Sequence, residues 1–562
     1  MDNAREVKAS RPAAPGASAS EQRARTIARI ALVLAIIAQA VLCCWLAFNK
    51  VGLFQDESYT FLLANESWLD AVPEEGVVYQ DGEPWQSWAS VEQFLGINPD
   101  KLYENQATDN HPPLYYTLFS LAYSLFPGAT TPVIGVMVNA VFALAGTVLL
   151  YFLCRALRAP RSLSVALCAV WAVNAGMANS TVYLRMYCLL SVFFTAAALV
   201  SVRHLNASRS GIPLLVATFA TTACGFLTQY FFVLFAFPLY LMTGIALLAR
   251  RRIACAAKFA VATLGGIACG MLAFPPSVSH LFSSSRGQGA LERAATGDSF
   301  WSFLVEDWRL LNDGIFGGLL PVLLVALCVL AAVALFMRTT GRRQSVREIG
   351  GGAPGLSARG HASLERPERA QDGIFVPAVV MLFVSSVVFV ALVARVAPYA
   401  SIRYLMAVDQ ILLISVLLLI VVAVRALFPS ARAAHAVVLV IAVGIVLTLT
   451  GWAHGIKYLD QETDSVAALY DQNEAMVVVS EDVLLQQSVM PDALAYGTSV
   501  YFYHENAFDA FDFAQLGQDI SLYVQPGLDA APYLEELSGY SNASYEHVGR
   551  TIDNYDVYDV TL

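Results

Sequence analysis

The chain has 562 residues, of which 57% are hydrophobic and only 14% charged, and its mean hydropathy is +0.57. A soluble protein carries nearer a quarter charged residues, so this composition excludes a water-soluble globular fold and implies a polytopic membrane protein. The net charge of −10 is segregated, with acids gathered in the first long loop and the tail, and a basic face for nucleic acid is excluded.

In chain order, residues 1–26 are polar and rich in Ala, Ser and Pro. They are expected to form a disordered cytoplasmic tail, and the apolar run behind them is too long for a signal peptide. About eleven transmembrane helices follow, expected at 27–48, 131–153, 163–180, 182–202, two within 212–248 broken near Gln229-Tyr230, 255–274, 315–336, 374–394, 404–424 and 434–452. Arginines gather before the first span (Arg23, Arg25, Arg29) and after every second one. Those clusters are Arg155, Arg158 and Arg161, then Arg203 and Arg209, then Arg250 to Arg252, then Arg338, Arg342, Arg343 and Arg347, then Arg425 and Arg432. Positively charged loops stay in the cytoplasm, so the N-terminus is expected inside and the C-terminus outside.

The spans fall within a membrane domain of residues 27–453. Its first outer loop, 50–126, carries Trp68, Trp85 and Trp88 among acids, which suits helices lying at the interface. A second outer segment is expected at 275–314. The cytoplasmic stretch 338–373 is rich in Gly and Arg and is expected to be disordered. Residues 454–562 read as a small extracytoplasmic α/β domain, with strands at 475–480, 499–503, 520–524 and 555–562 and a helix at 530–537. It has no phosphate-binding glycine motif and is expected to cap or recognise. All nine cysteines lie in or beside spans without metal-ligand spacing.

Chemistry is expected on the outer face. Asp56-Glu57 places two carboxylates just beyond the first span; standing alone, such a pair is ordinarily solvated. His111-Pro112-Pro113-Leu114-Tyr115-Tyr116 opens an apolar stretch of about fourteen residues, too short to cross a bilayer. Tyr183-Leu184-Arg185-Met186-Tyr187 puts an arginine in strongly apolar sequence, where it either snorkels to the interface or clamps a phosphate or carboxylate. Gln229-Tyr230 marks a further outer junction, as a groove lining or a simple turn. Arg395 and Ser401-Ile402-Arg403-Tyr404 mark another. Asp409, inside the tenth span, must pair or be protonated, with Arg403 or a neighbouring helix as candidate partner.

An acid pair after the first span, then His-Pro-Pro-Leu-Tyr-Tyr, Arg-Met-Tyr and a late Arg-Tyr resembles the GT-C superfamily of membrane glycosyltransferases. The likeness is nearer to the bacterial branch related to protein O-mannosyltransferases and aminoarabinose transferases, and it covers roughly residues 25–452. The resemblance implies a GT-C fold and an inverting enzyme that takes a sugar, hexosyl or pentosyl, from a polyprenyl-phosphate donor. The acceptor would be an extracytoplasmic glycan, lipid or protein. It implies that Asp56 is the catalytic carboxylate, supported by Glu57. Arg185, Arg403 and Tyr404 would meet the donor phosphate, and His111, Tyr115, Tyr187, Gln229 and Tyr230 would shape the pocket. A divalent metal ion is an open expectation, with Asp56, Glu57 and His111 as candidate ligands. The rival readings are a transporter or flippase for lipid-linked sugars, and a non-catalytic envelope-assembly scaffold.

Overall fold

A backbone in lipid must satisfy its own hydrogen bonds, so the long apolar runs fold as helices. The computed structural model describes residues 19–65, 74, 77–80, 83–349, 374–428, 433–459, 474–479, 499–505, 513–550 and 555–562. The first long helix, α1 (Ala19–Phe48), leads to the shorter elements α2 (Gln55–Asn65), β1 (Val78–Gln80), α3 (Glu83–Ala89), α4 (Pro99–Thr108) and α5 (Leu114–Tyr123). The bundle continues through α6 (Pro132–Ala156), α7 (Arg161–Ala172), α8 (Ala175–Val182), α9 (Tyr187–Asn206), α10 (Ile212–Thr228), α11 (Phe231–Ala249) and α12 (Ile253–Ala273). Three shorter helices follow: α13 (Ser277–Phe282), α14 (Ser285–Thr296) and α15 (Phe300–Phe316). The bundle closes with α16 (Leu320–Ile349), α17 (Val376–Val396), the short α18 (Ile402–Leu405), α19 (Asp409–Leu427) and α20 (Ala433–Ala453).

Among the described residues, nine helices are long and apolar enough to cross a membrane, and ten when the bent pair α7 and α8 counts as one span. The shorter apolar α10 fills the remaining expected place, so the chain is a multi-pass membrane protein. The α7–α8 bend of 53° has a local cause. Asn174 caps α8 by accepting from Gly176 N at 2.9 Å, and Trp452 Nε1 donates to the freed Val173 carbonyl at 2.9 Å.

Three expected boundaries move. α1 begins at Ala19, inside the segment expected to be disordered, while residues 1–18 lie outside the described residues. The eighth span starts at Leu320 instead of 315, because Gly317 and Gly318 adopt φ of +55° and +81° and end α15. Helix α16 runs on to Ile349, into the stretch expected to be unstructured; residues 350–373 lie outside the described residues.

The tail forms β2 (Glu474–Val479), β3 (Ser499–His504), β4 (Asp519–Val524), α21 (Ala531–Ser541), β5 (Ser544–Arg550) and β6 (Asp556–Thr561). The expected position 480 lies outside the described residues. The sheet order is β1-β3-β2-β4-β6-β5, with β3, β2 and β4 parallel and the outer pairings antiparallel. β5 was not expected, nor was β1, a strand lent by the first outer loop. Alternation splits the sheet's two faces. Met476, Val478, Ile520, Leu522 and Val560 pack with Leu534 and Leu537 of α21, while Ala475, Val477, Tyr523 and Val557 join the main core.

Candidate functional site

Helix α2 opens on the acid pair, and the two carboxylates have opposite fates. Glu57 Oε2 reaches back to Phe54 N at 2.7 Å, the reciprocal half of a capping box. The same oxygen accepts from Lys50 Nζ at 3.0 Å, and Oε1 accepts from Leu184 N at 2.8 Å. Lys50 also donates to the Tyr458 carbonyl at 2.8 Å. Both side chains are fully enclosed. Burial pushes the Glu57 carboxyl up and the Lys50 amine down, and each charge opposes the other's shift.

One helical position earlier, Asp56 turns about 100° away and keeps 18% of its side chain exposed. Its Oδ2 accepts from the Tyr183 hydroxyl at 2.7 Å and forms an ion pair with Arg403 Nη1. Arg403 meets the Tyr399 hydroxyl and, at 3.4 Å, that of Tyr404. Its guanidinium lies 5.4 and 5.2 Å from those two ring centres, so aromatic faces share its charge. Tyr183 stacks on Tyr458 at 4.1 Å and on Tyr187 at 5.9 Å. Burial pushes its hydroxyl well up, so it stays a phenol and a donor.

Arg185 organises the other side. It is only 4% exposed, and its Nη1 donates to the Asp56 carbonyl at 3.1 Å and to Thr60 Oγ1 at 3.2 Å. Its Nη2 lies 3.4 Å from His111 Nε2, and its guanidinium sits 5.8 Å over the Tyr116 ring. Burial works against its charge, but the oxygens of Tyr116, Tyr183, Tyr187 and Asp109 outweigh that and raise its pKa. His111 Nδ1 lies 2.5 Å from Asp109 Oδ2. An arginine cannot accept, so the contacts assign His111 a proton on Nδ1, given to Asp109, and a lone pair on Nε2 facing Arg185. Burial and Arg185 lower the His111 pKa and Asp109 resists, which keeps the ring neutral. Burial alone would raise the Asp109 carboxyl, but His111, Arg185 and Arg286 hold it well below the usual range.

The structure thus brings Asp56, Arg185, Arg403, Tyr404, His111 and Tyr187 into one cluster. Glu57 is sealed beside it, and the other three expected residues turn their polar groups to other partners. Tyr115 is buried with its hydroxyl 3.3 Å from Asn139 Oδ1. Gln229 Oε1 accepts from Tyr230 N at 2.7 Å. The Tyr230 hydroxyl binds His280 Nδ1 at 2.9 Å, and His280 Nε2 is 3.1 Å from the Ala107 carbonyl, so this pair ties outer segments together. Asp409 is buried but does not pair with Arg403, which is taken by Asp56. A Cβ at Gly176 would collide first with Ile315 and stand 3.0 Å from Asp409 Oδ2, so the glycine makes room for α15 as well as for that acid.

Sequence reasoning missed Lys50, Asp109, Tyr399 and Tyr458, together with the exposed cations Arg286 and Lys457 at the margin. Asp109 had a signal, two residues before His111. Burial and Arg403 pull the Lys457 amine down, and Arg286 acts electrostatically on Asp109, His111 and Tyr399.

The donor set does not fit the metal ion considered above. Glu57 has both oxygens bonded to protein donors, Asp56 Oδ2 faces a cation, and both ring nitrogens of His111 are engaged. Among the described residues, no group of three or more His, Cys, Asp and Glu side chains is placed to hold a metal.

No family model matches the sequence, and no curated protein matches it. Among solved structures, the chain is similar to ArnT from Cupriavidus metallidurans bound to undecaprenyl phosphate. The TM-score is 0.45 at 13% identity, covering 94% of this chain and 97% of that one. The apo state of the same protein gives 0.46 at 12%, with the same coverage. The archaeal oligosaccharyltransferase AglB from Archaeoglobus fulgidus, in complex with an inhibitory peptide and a dolichol-phosphate, gives 0.39 at 10%, covering 89% of this chain and 69% of that one. Likeness at this level assigns no role to any residue. The chemistry of the site stands on its own contacts.

Proposed function

We propose that the chain is a membrane glycosyltransferase of the GT-C type, moving a sugar from a polyprenyl-phosphate donor to an extracytoplasmic acceptor. The observation that carries this reading is the division of labour in the acid pair. Glu57 is sealed and saturated, while Asp56 keeps a small exposed part and is held by one oxygen between Tyr183 and Arg403. A carboxylate fixed through Oδ2 keeps Oδ1 to accept a proton. In the proposed step, Asp56 Oδ1 takes the proton of the acceptor hydroxyl. The acceptor oxygen bonds to the anomeric carbon from the face opposite the leaving group, and configuration inverts. The bond between that carbon and the phosphate oxygen breaks, with its electron pair passing to the phosphate.

Arg403 is placed to neutralise that charge, assisted by Tyr399 and Tyr404. A donor phosphate that draws Arg403 from Asp56 would also leave Asp56 the stronger base. Arg185 holds the Asp56 backbone and Thr60 instead of standing open to a ligand, so its part is to orient the base. Orientation follows the basic clusters: the site faces outward and the arginine-rich ends of α6, α9 and α11 face the cytoplasm.

The test is Asp56→Asn, purified and assayed with a synthetic polyprenyl-phosphate sugar. Transfer should fall by about 10²–10⁴-fold with unfolding temperature unchanged. Full transfer in that variant rejects Asp56 as the base. The transport reading draws on Asp409, the acid inside a span. Lipid-sugar translocation in liposomes that survives Asp56→Asn and fails in Asp409→Asn would favour it.

A further inference from the structure

The end of the bundle opposite Asp56 holds a second built cluster. Helix α9 starts beside the site at Tyr187 and ends at Asn206, about 30 Å away at 1.5 Å per residue. There the ends of α6, α9 and α11 meet the start of α17. The Phe375 N bonds the Leu157 carbonyl at 2.8 Å, and Asn206 Nδ2 bonds the Ala156 carbonyl at 2.7 Å. Arg158 Nη2 donates to Asn206 Oδ1 at 3.3 Å. Arg250 Nη1 donates to the Leu205 carbonyl at 2.9 Å, and Arg252 Nη1 to the His204 carbonyl at 3.1 Å.

Two features go beyond helix capping. The guanidiniums of Arg158 and Arg250 both lie over the ring of Phe375, at 5.3 and 5.4 Å from its centre. Two like charges from separate segments are thus gathered on a platform supplied by a third. Arg158 and Arg251 also adopt φ of +63° and +55°, a left-handed backbone state that non-glycine residues rarely take. No described acid forms an ion pair with Arg155, Arg158, Arg161, Arg203, Arg209, Arg250, Arg251 or Arg252. The helices α7, α12 and α17 begin at this face, and none has an acid in its first turn. Their uncapped N–H groups add positive potential to the arginines. Among the described residues, the cluster therefore holds several cations and no acid paired with them.

We propose that Arg158 and Arg250, gathered over Phe375, bind the phosphate of an anionic phospholipid headgroup on the face opposite Asp56. A diester phosphate with a small polar substituent fits, because two forked guanidiniums recognise phosphate oxygens and the aromatic ring supports them. The site is separate from the sugar-transfer chemistry and stands whether or not that reading holds.

The test uses the full chain in neutral detergent. Unfolding temperature is measured with added phosphatidylglycerol, phosphatidylcholine or inorganic phosphate, and native mass spectrometry counts bound lipid on the wild-type protein. Phosphatidylglycerol should raise the unfolding temperature by roughly 2–4 °C and remain bound in the gas phase, with phosphatidylcholine doing neither. The Arg158→Gln/Arg250→Gln variant should lose that rise. Arg209→Ala, an exposed arginine in the α9–α10 loop at the same face, should keep it. An equal rise in the double variant, or with phosphatidylcholine, overturns the proposal. A rise with inorganic phosphate alone assigns the site to free phosphate and overturns the lipid. Should the double variant fail to fold, equal retention of the two lipids by the wild-type protein is by itself decisive against it.

Discussion

The two ends of the bundle answer the same problem, charge beside lipid, in opposite ways. At the Asp56 end the central cations have built-in partners: Lys50 has Glu57, Arg403 has Asp56 and an aromatic collar, and Arg185 has backbone, hydroxyl and imidazole acceptors. At the Phe375 end the arginines lean on helix carbonyls and have no acid among the described residues. The balanced end can hold a carboxylate at a chosen basicity. The unbalanced end can only attract. Where the acids lie therefore separates a place for chemistry from a place for anchoring.

The sharpest break of that comparison is within the acid pair itself. Asp56→Asn should abolish transfer and leave the fold, whereas Glu57→Gln should do the reverse. Removing one partner of a buried ion pair costs about 3–5 kcal/mol, so Glu57→Gln should unfold at markedly lower temperature, and any folded fraction should retain transfer. A stable but inactive Glu57→Gln would move Glu57 into the chemistry. Asp109→Asn comes next. It weakens a charge-assisted bond worth about 1.5–3 kcal/mol, releases His111 and loosens Arg185. Because the Asp109 pKa is depressed in the folded state, its stabilisation is present above the unfolded carboxylate value and is lost as pH falls. Wild type and variant should therefore differ in unfolding temperature at pH 7 and converge in strong acid. Parallel curves across that range would remove the ionic role of Asp109.

A smaller effect is expected at Asp307 on α15. This acid is buried with neither oxygen bonded, and burial, then Glu306, pushes its carboxyl up to about 7. With a raised folded pKa, its contribution favours the fold below the unfolded value near 4 and is lost as pH rises to about 7. Asp307→Asn should flatten the stability profile between those values and raise the unfolding temperature at pH 8. No change at pH 8 would mean that the acid finds a partner in the membrane. Smallest of all, Tyr115→Phe should cost only about 1 kcal/mol and spare transfer, since its hydroxyl serves Asn139.

Much of the fold was legible because hydropathy is a local property: eleven apolar runs were expected and each place holds a helix. The positions of Asp56, His111, Arg185 and Arg403 on one face were readable for the same reason. What distinguishes Asp56 from Glu57 was not. Lys50 is local, seven residues from Glu57, but Leu184 and Tyr183 each lie 127 residues from the acid they bind and Arg403 lies farther still, and no local pattern encodes such meetings. Gln229-Tyr230 reads from sequence either as a groove lining or as a simple turn, and its partners are its own backbone and His280, contacts that polarity at a junction does not specify. β1 was unreadable since three residues carry no period, and only β3 gives them a reason to extend.

The Lys50 contacts also set an order of assembly. Lys50 Nζ bonds the Tyr458 carbonyl across 408 residues, and Val51 N bonds the Leu459 carbonyl at 2.9 Å. Lys50 leaves the ribosome 408 residues ahead of Tyr458, and the clasp is made by residues that emerge after α20. Until translation has passed that point, Glu57 lacks a finished pocket and the neighbouring aspartate lacks a rigid mount. The mount of Asp56 is therefore complete only when Tyr458 and Leu459, beyond α20, have docked on Lys50 and Val51.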